Sequence, residues 1–254
     1  PTAAAMLFRD DRPLEVVENP PAFPAASYEG LVIGADDWPP LLHPRMLMDH
    51  DGYTAWERHM VARCAEDATS PESIVATLER DARLLRRYQP GEGPMRRVVA
   101  SLPPAPLVKP VPSELTDSLA RFEEAVAAVP DDMKPPPDEH GLPDAYVHFV
   151  KDEWDAWQAP LRRYLAAKAF ASWTAYQGRG VLTIVRGLEA ALALVRVEAA
   201  RQCRNAASVL NGDLLREAFR AADFLLNHLA AGDELAEAWS RAEQDSPITN
   251  QKSR

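Results

Sequence analysis

Twenty of the chain's 23 prolines fall before residue 143. Proline fixes φ, lacks a backbone donor and clashes with the preceding helical turn, so it breaks helix interiors. Residues 1–142 are therefore limited to short helices and extended runs, while residues 143–254, with three prolines, are free to form long ones. Charge divides at the same place. Residues 1–142 hold 24 Asp and Glu against 14 Lys and Arg, so the whole net charge of −10 sits there, and the remainder has 14 of each sign. The chain is predicted to be mainly α. An acidic proline-rich region over 1–142, with short helices and room for a small β-hairpin, packs on an antiparallel helical bundle over 143–254.

At 254 residues and 46% hydrophobic content the chain can bury a large core. Cys64 and Cys203 are too few and too distant for a disulfide framework or a metal cage of their own, and a reducing cytoplasm suits them. The opening PTAAAMLFRDDRP has neither the basic start nor the apolar stretch of an export signal. The longest apolar run, Val181 to Ala200, carries Arg186, Glu189, Arg196 and Glu198. Each would cost about 2.5–3.5 kcal/mol at mid-bilayer, which makes the run a buried helix of a globular protein and not a membrane span. Net acidity without a basic stripe argues against nucleic acid and in favour of cationic partners.

Helices can be placed by their signals. Short extended pieces, Met6–Phe8, Leu14–Val17 and Tyr28–Ile33, are the hairpin candidates. A helix starting at Pro44 or Tyr53 runs to about Asp67. A second opens with Ser70 as N-cap and Pro71 at its first position, buries Val75, Leu78, Ala82 and Leu85, and stops at Pro90. A third runs from Ser113 to Pro130. Leu102 to Pro112 reads as extended chain, and Asp131 to Pro143, with its triple proline, as a linker. Beyond it the pattern predicts a helix from Pro143, kinked or restarted at Pro160 and reaching Tyr176, then helices over Val181–Ala207 and from a cap at Asn211 or Asp213 to Ala231, and a short one through Glu243. The Val181–Ala207 helix is apolar nearly all round, as a central helix must be.

Arg186, Glu189 and Arg196 fall within about 80° of one another on that helix, so a covered edge would make them a polar cluster suited to a carboxylate or other anion. His148 is the acid/base candidate beside them. Arg179, between Gly178 and Gly180 ahead of the helix, could add an anion contact, although the third glycine of the dinucleotide motif is replaced by Thr183. Trp154, flanked by Asp152, Glu153 and Asp155, would form a surface for a cationic or amphipathic partner if exposed. Asp49 and His50 are the weak metal candidates, short of the three convergent ligands a site requires.

Glu-x-x-His, His-Glu-x-x-His, Gly-x-Ser-x-Gly and the phosphate-binding Gly-Lys-Ser/Thr loop are all missing from the sequence. The expectation is a cytoplasmic, non-enzymatic interaction protein with a protein partner and no cofactor. The alternative is a helical-bundle enzyme or small-ligand binder using the Arg/Glu pocket, with metal binding a third choice.

Overall fold

A computed structural model describes residues 7–8, 41–43, 46–66, 69–104, 115–134, 140–170, 172, 174–175 and 180–244, the last four as backbone. Strands β1 (Leu41–His43) and β2 (Met46–Leu47) form an antiparallel hairpin that pairs Leu41 with Leu47 and His43 with Met46. A hairpin was expected earlier in the chain. Of that stretch only Leu7 and Phe8 are described, and they form a turn; the rest lies outside the described residues.

Helix α1 (His50–Cys64) begins at Asp49, whose Oδ1 accepts the Gly52 N–H at 2.6 Å and satisfies one of the free donors of the first turn. Trp56, Met60 and Cys64 recur at helical spacing and are buried. A β-carbon at Gly52 would lie 3.0 Å from Met95 Cβ, so the glycine lets α1 approach the start of α3 (Met95–Ala100). Between them runs α2 (Pro71–Leu85), which starts as predicted: Ser70 Oγ accepts the Ser73 N–H at 3.2 Å and Pro71 occupies the first turn. Its buried stripe comprises Ile74, Val75, Leu78, Ala82 and Leu85. Helix α4 (Leu115–Ala127) buries Leu115, Ser118, Phe122 and Ala125.

The single helix expected from Pro143 to Tyr176 is instead a series of short pieces. Helix α5 (Leu142–Ala145) passes into a π turn at Tyr146–Val150, then a 3-10 turn at Trp154–Trp157, and α6 (Gln158–Ala169) follows. Pro160 sits in the first turn of α6, where a missing N–H costs nothing, so of the two expected outcomes, a kink or a restart, it is the restart that occurs. Phe170, with φ −73° and ψ 129°, is extended and ends α6.

Helix α7 (Val181–Ala206) is the centre of the molecule, with 18 of its 26 residues buried. Helices α2, α4, α5, α6, α8 (Gly212–Phe224) and α9 (Gly232–Gln244) all pack on it, as does β1. One apolar core runs without interruption from Leu42 to Trp239 and draws on both sides of residue 142. Full burial of each Leu, Ile or Val in such a core contributes about 1.5–3 kcal/mol. Helix α7 closes with Ala207 in the left-handed region, φ 46°, while the Ser208 N–H reaches back to the Cys203 carbonyl at 3.1 Å. Asn211 Oδ1 then caps α8 by accepting the Asp213 and Leu214 N–H groups at 3.0 and 3.1 Å. Among the described residues no helix is long and apolar enough to cross a membrane.

Candidate functional site

Three groups of charged side chains, each built across at least two helices, link the helix stack, the first of them partly exposed and the other two largely buried. In the first, Arg186 on α7 donates to Glu189 Oε2 at 2.5 Å and to Glu79 Oε1 of α2 at 2.8 Å. Arg83 joins Glu79 at 2.7 Å, and Arg121 of α4 spans Glu189 at 3.3 Å and Glu124 at 3.0 Å. Cations and carboxylates thus alternate along one chain of contacts, tying α2, α7 and α4 together. Burial disfavours the charged form of Arg121, but Glu189 and Glu124 outweigh it and hold its guanidinium above its ordinary pKa.

Arg196 lies apart from this chain. Ten residues beyond Arg186 on α7 and 4% exposed, it pairs with Glu72 of α2 and donates to Ser118 Oγ of α4 at 3.3 Å. Its guanidinium lies over the Trp154 ring, 4.9 Å from the centroid, and the Trp154 indole N–H donates to the same Glu72 Oε1 at 3.1 Å. Withdrawing a guanidinium from water costs several kcal/mol. Here a carboxylate, a hydroxyl and an aromatic face offset that cost. The Glu72–Arg196 and Glu79–Arg186 pairs run in opposite directions along the two helices, which fixes α2 antiparallel to α7.

The third group centres on Asp81, whose side chain is 0% exposed. Its Oδ1 accepts from Arg80 Nε at 2.9 Å and Nη2 at 2.5 Å, its Oδ2 lies 2.8 Å from His59 Nε2, and Arg63 stands 3.7 Å away. Burial raises the pKa of this carboxyl, but the hydrogen bonds and positive charges of His59 and Arg80 together prevail and hold it below the ordinary aspartate value. Arg63 and Arg80 also donate to the Pro103 carbonyl at 2.7 and 3.0 Å, and Arg80 to that of Pro104 at 3.2 Å. The buried carboxylate therefore orients two arginines that hold the start of the proline-rich segment.

Measured against the sequence expectations, the proposed Arg186–Glu189–Arg196 cluster divides in two. Arg186 and Glu189 meet, whereas Arg196 turns to Glu72, because α2 presents Glu72 and Glu79 two turns apart. His148 is exposed, its ring edge against Phe149 at 4.7 Å, and stands outside both charge groups. Arg179 lies outside the described residues. Trp154 is 5% exposed, which corrects the idea of an open aromatic platform: its N–H and its ring face are both used internally. Asp152 and Asp155 remain exposed around it.

Asp49 is the cap of α1 and His50 is largely exposed, with Nδ1 4.0 Å from Asp51 Oδ1. Asp51 in turn receives Arg96 at 3.0 Å. Among the described residues no three His, Cys, Asp or Glu converge as a metal ion would require. Burial pushes the Cys64 thiol up to about 12 and that of Cys203 to about 11, far from the range of a reactive thiolate.

The residues that sequence reasoning missed are the acidic partners Glu72, Glu79 and Asp81. The seven-residue spacing of Glu72 and Glu79, which puts both on one face of α2, was the available signal. Compared with protein-family models, with curated proteins and with solved structures, the chain matches none.

Proposed function

We propose that the protein is a cytoplasmic binding protein that acts through protein–protein contacts and not through catalysis. The observation that carries this reading is how the charged side chains are spent. Arg186, Arg196, Glu79, Glu72, Asp81 and His59 neutralise one another between helices, so the interior serves to lock the scaffold. Exposed apolar and acidic side chains occur instead where the Leu210 N–H donates to the Phe149 carbonyl at 2.8 Å. That bond brings Val209, 53% exposed, to the π turn that carries Val147, 61% exposed. Asp144, Asp152, Glu153 and Asp155 lie within eight residues of Val147 along the chain and are all exposed, with Lys151 the one Lys or Arg between residues 141 and 155.

Exposed valines on an acidic stretch suit a partner surface that is itself apolar and cationic. The reading is tested by quantitative capture from native lysate with the wild-type chain, a V147D/V209D variant and a D152K/D155K variant, each first checked for unchanged helicity. A partner retained by the wild type and reduced at least tenfold in both variants is expected. Identical capture profiles for all three chains would refute it.

A further inference from the structure

Leu7 and Phe8 form a turn that docks on the C-terminal helices. The Phe8 ring meets Trp157 edge-on at 6.0 Å and Phe219 of α8 at 5.9 Å. The Arg216 guanidinium covers its face, 4.7 Å from the centroid. Arg163 of α6 donates to the Leu7 carbonyl at 2.8 Å, so the main chain is held as well as the ring. The receiving surface is itself braced. Phe219 stacks on buried Tyr164 at 4.7 Å, and the Tyr164 hydroxyl donates to Asp223 at 2.8 Å. A β-carbon at Gly212 would lie 3.4 Å from the Trp157 ring and 3.8 Å from Arg216 Nη2, so the start of α8 borders the same surface.

Aromatic walls, a cation over the ring face and a donor for a backbone carbonyl are the parts of a peptide-recognition site. We propose that Trp157, Arg163, Arg216 and Phe219 form a socket for an aliphatic–aromatic dipeptide unit, and that the chain's own Leu7–Phe8 is its resident ligand. A free peptide of the same chemistry binds the socket once the resident ring is removed. These residues differ from those of the acidic surface proposed above, and the two readings fail separately.

The test uses full-length chains and the free peptide of residues 3–12, AAAMLFRDDR. The Trp157 indole N–H, buried without a hydrogen-bond acceptor among the described residues, provides an NMR reporter that a W157F chain assigns. In the F8A chain the peptide shifts this resonance in a saturable way. Wild-type chain, whose tethered Phe8 competes at an effective concentration on the order of millimolar, binds at least about tenfold more weakly. An F8L chain, partly filling the socket, falls between them. A peptide with Ala in place of Phe loses two edge-on ring contacts and the cation over the face, and with them about tenfold or more in affinity. A Trp157 signal unmoved by millimolar peptide in both F8A and F8L chains, or moved equally by the alanine peptide, overturns the proposal.

Discussion

Replacing Asp81 by Asn should be among the most damaging isosteric changes in the molecule. The carboxylate accepts two hydrogen bonds from Arg80, lies 2.8 Å from His59 Nε2 and is 3.7 Å from Arg63, all with no solvent access of its own. Removing one partner of a buried pair costs about 3–5 kcal/mol, because the remaining charge is left uncompensated. Arg80 retains 31% exposure and regains some hydration, which places the loss at about 3 kcal/mol, the lower end of that range. For a chain of this size that corresponds to a fall in Tm of about 6–12 °C. Urea unfolding at pH 7 followed by circular dichroism measures it, with an unchanged m value.

The pH dependence follows from the lowered pKa of Asp81 in the folded state. Its contribution is complete above the unfolded aspartate value near about 3.9 and is lost as pH falls through the lower folded value. The gap between wild type and D81N should therefore be full at pH 5 and smaller at pH 3. A difference below about 1 kcal/mol at pH 7, or a gap of equal size at pH 5 and pH 3, would refute the account of Asp81 as an ionised structural anchor.

Two further outcomes are expected. Glu72→Gln strands the Arg196 guanidinium and should cost about 3 kcal/mol in urea unfolding, while the double variant E72Q/R196M, which removes the buried charge altogether, should recover at least half of it. Ala207→Gly relieves a left-handed residue at the end of α7 and should raise stability by about 0.5–1 kcal/mol, read as a higher urea midpoint.

Local signals carried much of the architecture. Ser70 and Pro71 mark the start of α2, Asn211 caps α8, and the all-round apolar pattern of Val181–Ala206 places it at the centre, because each of these depends on a few consecutive residues. The ring-rich stretch from Pro143 was misread as one long helix. Aromatic residues at near-helical spacing satisfy several packings equally, and here tertiary contacts, including the Leu210 bond to Phe149, favour a π turn and a 3-10 turn. Within the charge groups, Arg186 with Glu189 was legible as a pair one turn apart. Glu79, Glu72 and Arg121 were not, since their partners lie 68 to 124 residues away and are defined only once α2 and α4 are laid against α7. Burial of Trp154 was an expected alternative to its exposure, but the side chains that cover it, Arg196 and Glu72, were not legible for the same reason.

The position of α7 has a consequence for how the chain matures during synthesis. Helix α1 is complete at Cys64 and α2 at Leu85, yet the rod against which α2 buries its stripe is finished only at Ala206. At about 5–20 residues per second, the ribosome takes roughly 6–24 s to cover the interval from the end of α2 to the end of α7. Throughout that delay α1 can already meet α3, but the stripe of α2 lacks its main neighbour, so the nascent polypeptide depends on transient shielding there, and assembly ends in a late closure around the last-made axis.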